Sequence, residues 1–442
     1  MDTFIGRIEA LNPTLNAFLT VTADAARREA REAEAALARG DELPPLHGVP
    51  IAVKDLEATK GVRTTSGSLV YRDFVPTEDS IIVERLRRAG VIILGKTNTP
   101  EFGQSTTTEN RLGDDCRNPW DPTRTTGGSS GGSGAALAAG LCPIATGSDG
   151  GGSIRIPSSF CGVYGIKPTH GRVPSAEGSW PLFSDSGPMA RSVRDAALML
   201  SLVSGHDARD PLAIRGKPPD FLAALDGDLK GLRVAWSPDL GYAAVDEGVL
   251  ATVRSAVDLF QDFGCAVEEA IPGTGEPFGI FATIVLAEGY AELGHLLEKH
   301  SDDLMRYVRS AIEHGQKVTG ADYARAMREL WVFRARMEDF FEDYDLLLTP
   351  TTAVPAFPLG RRPTMIAGQE VSKLWGATPF TPGFNMTGNP AANVPCGFSS
   401  EGLPIGLHIV GRWGEEVTVL RASAALEQAR PWAKAIPPLA AL

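Results

Sequence analysis

The chain has 442 residues, of which 43% are hydrophobic and 22% charged, a composition typical of globular proteins. Its 54 acidic and 42 basic residues give a net charge of −12, which argues against a broad phosphate-binding surface and hence against nucleic acid as a partner. The five cysteines are scattered, so neither a disulfide framework nor a zinc site is expected. Because the sequence shows no signal peptide and no apolar stretch of membrane-spanning length, we expect a cytoplasmic protein without a membrane partner.

Hydrophobic periodicity predicts helices and strands in alternation along the chain. In the first half the predicted elements are a solvated helix over 22–39 closed by Gly40, a strand over 50–53 that ends at Lys54, a helix over 80–89, a strand over 91–94 and a buried helix beginning within 135–139. In the second half they are a helix over 193–203, a strand over 232–236, a helix over 245–263, several helical segments within 286–337, strands over 345–348 and 404–410, and a helix over 415–428. This alternation favours a layered α/β fold.

One segment matches a nucleotide-binding motif. Residues 90–97 (GVIILGKT) fit the pattern G-x-x-x-x-G-K-[ST], which needs a strand before its first glycine and a helix directly after its lysine. Here a helix is predicted before Gly90, the four apolar residues are themselves the predicted strand, and Pro100 interrupts the segment after the lysine. The sequence therefore argues against nucleotide binding at this segment.

A second motif suggests a serine hydrolase with a histidine base. Residues 127–131 (GGSSG) fit the turn G-x-S-x-G, but that turn follows an apolar strand, whereas residues 118–124 are polar and broken by proline. Of the seven histidines, His47 and His170 lie nearest to the motifs, and we interpret both as structural hydrogen-bonding residues. A Ser-His-Asp enzyme is therefore not favoured.

The most informative stretch is residues 147–155 (GSDGGGSIR), in which three glycines lead to Ser153. Glycine backbone can approach a ligand closely, so such a turn can direct successive N–H groups at an oxyanion beside an attacking hydroxyl. Taken alone, the stretch fits a flexible loop equally well. A second glycine-serine run at 127–133 (GGSSGGS), together with Lys54 at the end of a predicted strand, favours a catalytic site.

These three segments resemble the amidase signature family, whose hydrolases use a lysine and two serines. In this chain 24 positions separate Ser129 from Ser153, which is the spacing of that family. Further resembling segments lie across most of the chain, at 46–50, 95–98, 118–121, 161–169, 385–391 and 402–407. The combination is specific, although no single glycine run is.

The resemblance implies α/β/α layers around a large mixed, twisted β-sheet. It further implies a single domain over 1–442, with the signature core at about 46–210 and a helical substrate-side region at about 280–340. Family members usually have one or two more helices before the segment that begins here at Ile8, so we expect this chain either to be short at its N-terminus or to lack a leader.

The resemblance also implies the catalytic roles. Ser153 is expected to attack the carbonyl carbon, while Ser129, which follows a cis peptide bond in the family, passes the proton between Ser153 and Lys54. A lysine acts as a base only when it is neutral, and burial at the end of an apolar strand lowers its pKa. The alternative interpretation is an ion pair of Lys54 with Asp55. Ser130 is a candidate hydrogen-bonding partner, and no metal or organic cofactor is expected.

The turn itself is expected to stabilise the oxyanion. The expected donors are the backbone N–H groups of Gly150, Gly151, Gly152 and Ser153. Asp149 and Arg155 are expected to hold the shape of the turn, with a surface ion pair as the alternative interpretation.

The resemblance implies a substrate pocket beside the turn. The residues expected to border it are Gly103, Gln104, Ser105, Thr106, Thr126 and Gly127. Trp180 and the Pro379-Phe380 region are candidate walls, with ordinary core packing as the alternative. No arginine or lysine falls clearly among these residues, which favours neutral amides. We expect a small-molecule amide or carbamate as substrate, and a monomer or homodimer.

Two other functions remain open. One is the glutaminase-type amidase subunit of a tRNA-dependent amidotransferase, although such relatives carry Asp-Glu-Phe-Ala-Met-Gly where this chain has residues 99–104 (TPEFGQ). The other is a non-catalytic binding protein on the same fold, against which the occupied lysine and serine positions argue.

Overall fold

The computed structural model describes residues 1–175 and 182–441, so the candidate wall residue Trp180 lies outside the described residues. The strands are β1 (Phe18–Val21), β2 (Pro50–Lys54), β3 (Ile92–Thr97), β4 (Ile144–Asp149), β5 (Tyr164–Lys167), β6 (Asp185–Ala190), β7 (Arg233–Trp236), β8 (Ala266–Glu269), β9 (Leu346–Pro350), β10 (Met365–Ile366), β11 (Gln369–Glu370), β12 (Ala391–Phe398) and β13 (Pro404–Gly411). Strands β10 and β11 pair with each other, and in the described residues the other 11 form one mixed sheet in the order β1-β3-β2-β4-β6-β5-β12-β13-β9-β7-β8.

Helices flank this sheet. They are α1 (Asp2–Leu15), α2 (Ala23–Arg39), α3 (Ile81–Arg88), α4 (Gly131–Ala138), α5 (Arg155–Cys161), α6 (Val193–Val203), α7 (Glu247–Val257), α8 (Leu259–Asp262), α9 (Phe278–Leu293), α10 (Leu296–His300), α11 (Arg306–Gly315), α12 (Gly320–Asp343), α13 (Pro382–Thr387) and α14 (Glu416–Ala429). Within residues 1–175 and 182–441, no helix has both the length and the apolar character needed to cross a bilayer. The large mixed sheet with its helices confirms the expected α/β fold class.

Most predicted elements are present, with differences in extent. Strand β3 occupies the apolar residues of the GVIILGKT segment and runs on to Thr97, so this segment is a strand rather than a phosphate-binding loop. Helix α4 begins at Gly131 rather than at Ala135. Glycine has a low helix propensity, but a side chain at Gly131 would collide with the Thr108 side chain, so only glycine fits there. The helix predicted over 245–263 is divided into α7 and α8.

Strand β2 shows how the two faces of the sheet are covered. Ile51 and Val53 pack into the core that contains residues of α3 and α6, whereas Ala52 packs into a second core with α4. Because side chains alternate along a strand, Lys54 falls on the same face as Ala52. The lysine therefore points toward α4 and the glycine-serine loop that precedes it.

The sheet topology gathers the sequence motifs at one edge. Strand β2 pairs in parallel with β3 on one side and with β4 on the other. The carboxyl ends of parallel strands lie at the same edge of a sheet, which is where α/β proteins place their ligands. Lys54 ends β2 and Asp149 ends β4, so the lysine and the start of the Ser153 turn become neighbours.

Candidate active site

Lys54 is fully buried at the end of β2. Its backbone N–H donates to Thr146 Oγ1 on β4 (2.8 Å), which fixes the strand end. Its Nζ donates to Ser129 Oγ (2.7 Å), to Ser148 Oγ (2.9 Å) and to Ser148 O (3.3 Å). Asp55 is not its partner, because that carboxylate accepts hydrogen bonds from Thr65 N (2.9 Å) and from the Thr65 hydroxyl. The amine is thus surrounded by hydroxyl and carbonyl oxygens rather than paired in an ion pair.

Burial changes the protonation of this amine. Desolvation lowers the pKa of Lys54 to about 7, while the charges of Glu57 and Asp149 act in the opposite direction. Near neutral pH a substantial fraction of Lys54 is therefore an uncharged amine, which can accept a proton.

Ser129 lies in the loop before α4, and the peptide bond between Gly128 and Ser129 is cis. Its side chain is 2% exposed and reaches Lys54. The neighbouring Ser130 connects the loop to the turn, because its backbone N–H donates to Ser153 O (3.1 Å). The Ser130 hydroxyl also donates to Ser148 O and accepts from Ser148 N, both at 3.3 Å. The loop of Ser129 and the half-buried Ser153 are therefore held together through the main chain.

The turn that carries Ser153 is built around the Asp149 carboxylate. Arg155 donates to it from Nε (2.9 Å) and Nη2 (2.8 Å), and the backbone N–H groups of Gly152 (2.6 Å) and Ile154 (3.1 Å) donate as well. Both charged side chains are 0% exposed, so this is a buried pair and not a surface one. Burial alone would raise the pKa of Asp149, but the charge and hydrogen bonds of Arg155 and a hydrogen bond from Asn385 outweigh it and hold that pKa well below its usual range.

Helix α13, in the C-terminal half of the chain, and the residue just before it stabilise this turn by hydrogen bonds. Asn385 Nδ2 donates to Asp149 O (2.7 Å) and Oδ1 (2.9 Å), and its Oδ1 accepts from Arg155 Nη2 (2.6 Å). Just before the helix, Thr381 Oγ1 donates to Gly151 O (2.8 Å), and Thr381 O accepts from Arg155 Nη1 (3.1 Å). Neither residue was among the sequence-predicted site residues, although Asn385 lies in one of the family-like segments. Nothing in the local pattern indicates these long-range contacts.

The expected oxyanion donors divide into two groups. The Gly152 N–H is already bound to Asp149 at 2.6 Å, so the prediction that it faces the oxyanion is wrong for this structure. A donor held by a buried carboxylate cannot also point at a substrate oxygen. Among the described residues, the N–H groups of Gly150, Gly151 and Ser153 have no protein acceptor. These three remain the candidate donors.

An aromatic cluster covers the other side of the turn. A Cβ at Gly151 would lie 3.0 Å from Phe281 Cζ, so the Phe281 ring rests directly on the glycine. Phe281 stacks with Phe183 at 5.9 Å between ring centroids and meets Trp375 edge-on at 5.3 Å, and Trp375 stacks with Phe278 at 5.2 Å. Phe278 and Phe281 lie in the first turn of α9, at the start of the region over about 280–340 that was expected to face the substrate.

The predicted pocket residues on the 103–106 segment lie beside the Ser129 loop. A Cβ at Gly103 would be 3.3 Å from Ser129 Oγ, and Ser105 O lies against Gly128. Gln104 is half-buried next to them. Arg362, which was not among the candidate pocket residues, also reaches this segment, because its Nη2 donates to Ser105 Oγ (2.6 Å) and to Thr107 Oγ1 (2.7 Å). Its distance from Ser105 in the sequence kept this contact from being predicted.

Three other candidate pocket residues are buried in the structure. Thr126 is 0% exposed, and its hydroxyl donates to Gly127 O (3.0 Å), while a side chain at Gly127 would meet Ile156 and Phe160. Both residues therefore pack within the protein and support the Ser129 loop. Phe380 is also 0% exposed and belongs to the main core.

Sequence reasoning missed Ser148, which contacts Lys54 through both its hydroxyl and its carbonyl. The sequence positions of β4 could have indicated this contact. Thr146 and Ser148 lie two residues apart on β4 and so share one face, beside the end of a parallel strand that carries the lysine.

The histidines of the motifs serve other contacts, as expected. His47 Nε2 lies 2.9 Å from Ala33 O, and His170 Nδ1 lies 2.9 Å from Asp185 Oδ1. Over residues 1–175 and 182–441, no group of three or more His, Cys, Asp or Glu side chains is placed to hold a metal ion.

With this geometry established, comparison with known proteins identifies the family. The sequence profile described as Amidase matches residues 1–420. The chain belongs to the amidase signature family. It is an amidase, a hydrolase acting on amide C–N bonds, which confirms the expected family and enzyme class.

This amidase is similar to proteins with two different activities in their names. An acylamidase of Rhodococcus erythropolis is 40% identical over 441 residues, covering 98% of this chain and 92% of that protein. The crystal structure of a bacterial aryl acylamidase has a TM-score of 0.94 at 30% identity, covering 100% of this chain and 94% of that one. A glutamyl-tRNA(Gln) amidotransferase subunit from Roseiflexus sp. (strain RS-1) is 37% identical over 469 residues, covering 99% of this chain and 94% of that protein.

Proposed function

We propose that this amidase hydrolyses small neutral carboxylic amides, aryl or alkyl, through an acyl-enzyme on Ser153, with carbamates as a further candidate class. The observation that carries the proposal is the hydrogen bond of 2.7 Å between Ser129 Oγ and the fully buried amine of Lys54. A serine hydroxyl is a weak nucleophile until a base removes its proton. A lysine whose pKa is about 7 can be that base at neutral pH.

Acylation proceeds by one proton relay. Ser153 Oγ forms a bond to the carbonyl carbon while its proton passes to Ser129 Oγ, and the proton of Ser129 passes to the neutral Lys54 Nζ. The negative charge that forms on the substrate oxygen is stabilised by the N–H groups of Gly150, Gly151 and Ser153. The C–N bond then breaks as the Lys54 ammonium returns its proton through Ser129 to the departing nitrogen.

Deacylation reverses the relay with water. A water molecule attacks the ester carbonyl, and its proton passes through Ser129 to Lys54. The bond between the carbonyl carbon and Ser153 Oγ breaks as Oγ regains a proton. The products are a carboxylic acid and a free amine or ammonia.

Two observations support an acyl or aryl amide as the substrate. The similar proteins include an acylamidase and an aryl acylamidase. The half-buried rings of Phe278 and Trp375 lie beside Phe281, which contacts the turn, and they offer apolar surface to an aryl or alkyl group.

Glutamine hydrolysis is the second candidate function. It is favoured by the 37% identity to a glutamyl-tRNA(Gln) amidotransferase subunit. Such a protein would release ammonia from glutamine for a partner, so activity on glutamine together with a co-purifying partner would favour this candidate.

A hydrolysis panel tests the proposal. The substrates are an anilide, a primary aliphatic amide, a carbamate and glutamine, and the enzymes are the wild type, Ser153→Ala and Lys54→Met. We expect turnover of the anilide and the aliphatic amide by the wild type, and a loss of at least about a thousandfold in both variants. A matched control is Ser423→Ala, which removes a buried serine hydroxyl on α14 and should keep activity within a few-fold.

A serine-reactive fluorophosphonate separates catalysis from mere binding. It should label the wild type and Ser423→Ala but not Ser153→Ala. Equal labelling of Ser153→Ala and the wild type, together with no turnover of any substrate, would support a non-catalytic binding protein and contradict the proposal.

A further inference from the structure

Glu57 carries a carboxylate whose charge acts on the Lys54 amine. It lies one turn after the lysine, where its backbone N–H donates to Lys54 O (3.0 Å). The residue is only 9% exposed, and each carboxylate oxygen accepts one hydroxyl: Oε1 from Ser186 (2.6 Å) and Oε2 from Ser80 (3.0 Å). Buried carboxylates are rare unless hydrogen-bonded, and these two serines fix the orientation of this one.

The sheet register brings this carboxylate and the amine to the same place. Ser186 on β6 is the direct antiparallel partner of Ser148 on β4. Directly opposed residues project from the same face of a sheet and are neighbours. Ser148 Oγ accepts from Lys54 Nζ (2.9 Å), while Ser186 Oγ donates to Glu57 (2.6 Å). One pair of opposed serines therefore holds the amine on one side and the carboxylate on the other.

Other charged groups around Lys54 already have partners. Asp149 at the end of β4 is paired with Arg155, and Asp185 on β6 is paired with Lys167. Asp55 is bound by Thr65. Helix α4, which covers the lysine, carries no titratable residue.

A second buried lysine contacts Glu57 through the backbone carbonyl of that residue. Lys96 on β3 donates from Nζ to the backbone carbonyl of Glu57 and to the hydroxyls of Thr59 (2.8 Å) and Thr64 (3.0 Å). It is 0% exposed, and burial lowers its pKa to about 8 while Asp55 and Glu57 act against that. Glu57 and Asp55 both lack an arginine or lysine ion pair among the described residues, but Glu57 is the one of the two whose charge raises the pKa of Lys54.

We propose that Glu57 is a positioning residue that sets the pH range of this amidase by holding a negative charge beside the Lys54 amine. The proposal rests on Lys54 being the general base, as in the proposed function. A nearby negative charge stabilises the ammonium form of a lysine and so opposes the effect of burial. Without it, Lys54 would stay neutral at lower pH, and the enzyme would keep its activity under more acidic conditions.

The test measures how kcat/KM falls as the pH is lowered. This acid limb of the pH profile reports the pKa of the catalytic base in the free enzyme. Glu57→Gln removes the charge and keeps the size of the side chain. We expect the midpoint of the limb to move down by about half a pH unit or more, which at acid pH is about a threefold gain relative to the plateau. Glu57→Asp retains the charge and should keep a midpoint closer to that of the wild type. Glu427→Gln is the matched control, because that partly buried carboxylate accepts from Val193 N away from the site and should leave the limb unchanged.

The pH dependence of the rate at which a fluorophosphonate labels Ser153 is then measured over the same range. This labelling reaction requires no proton donation to an amine leaving group. A folded Glu57→Gln enzyme with an unchanged midpoint in both measurements would overturn the proposal. Should Glu57→Gln not fold, Ser186→Ala replaces it. This variant releases one carboxylate oxygen of Glu57 and should move the acid limb in the same direction by less, and no movement would again overturn the proposal.

Lys54→Met distinguishes the two proposals. If it keeps activity, the proposed function fails, whereas an inactive Lys54→Met beside an unshifted Glu57→Gln contradicts only the role of Glu57.

Discussion

Lys54 Nζ lies 2.7 Å from Ser129 Oγ, with both side chains almost completely removed from solvent. In water this contact would be a weak interaction of an ammonium with a hydroxyl. Burial changes this interaction, because an amine with a pKa of about 7 is uncharged in about half of the molecules at neutral pH and can then act as a proton acceptor. The proposed relay depends on this single change of environment.

The first prediction concerns the pH dependence of the wild type. Because the base must be neutral, kcat/KM should fall about tenfold per pH unit below the pKa of Lys54, which is about 7. Lowering the pH protonates the amine, so the loss occurs on the acid side. The measurement is initial rates on an anilide from pH 5 to pH 9, with stability checked by circular dichroism. A flat profile across pH 6 to 8 would exclude Lys54 as the base.

The second prediction is that the lysine costs stability. The folded pKa of Lys54 is about 7, against an ordinary value of 10.5. Between these values the unfolded chain binds more protons, so the free energy of unfolding rises with pH, and the cost is largest below about pH 7. Lys54→Met should therefore stabilise the protein by an amount on the order of a few kcal/mol at pH 6, and by less at pH 9.

Thermal unfolding of the wild type and Lys54→Met at both pH values measures this effect. The hydrogen bonds that methionine cannot make to Ser129 and Ser148 subtract a contribution that does not depend on pH. A stabilisation that grows between pH 6 and pH 9 would contradict the assigned pKa shift.

The third prediction concerns the buried pair under the Ser153 turn. Asp149→Asn keeps the shape of the side chain but leaves the Arg155 charge buried without its partner, which should cost about 3–5 kcal/mol. Urea unfolding measures the change. Asp258→Asn is the matched control, because its pair with Arg254 is about half exposed and should cost less than about 1 kcal/mol. Equal effects of the two variants would show that the Asp149 pair does not hold the turn.

The fourth prediction concerns the close contact between the turn and α9. Gly151→Ala places a methyl group 3.0 Å from Phe281 Cζ, so either the ring or the turn must move. We expect kcat/KM to fall by about tenfold, since small displacements of catalytic groups are costly. Phe281→Leu in the same chain should restore part of the loss. Gly279→Ala on the same helix has open space around it and should leave the rate unchanged; a comparable loss there would point to α9 in general rather than to this contact.

The amino-acid pattern alone predicted much of the fold, but not every strand. Strands β2 and β3 were recognisable because their residues are apolar and β-prone. Strands β4 and β6 were not predicted, since their sequences IATGSD and DSGPMA contain glycine, serine and proline and have no clear alternation. Their place in the sheet comes from pairing with each other over six residue pairs. Such pairing joins distant segments, and a local pattern does not contain it.

What the sequence determined by itself is the chemistry. It put Lys54 at the end of an apolar strand, and it set Ser129 and Ser153 in glycine-rich segments at a characteristic spacing. The tertiary structure decided the environment of those groups. Burial brings the Lys54 pKa to about 7, Asn385 reaches the Asp149 carboxylate from 236 positions away, and Asp149 binds the Gly152 N–H, which leaves three N–H groups of the turn for an oxyanion. Residue types are local properties of the chain, but desolvation and the use of each donor depend on which distant segments the fold packs together.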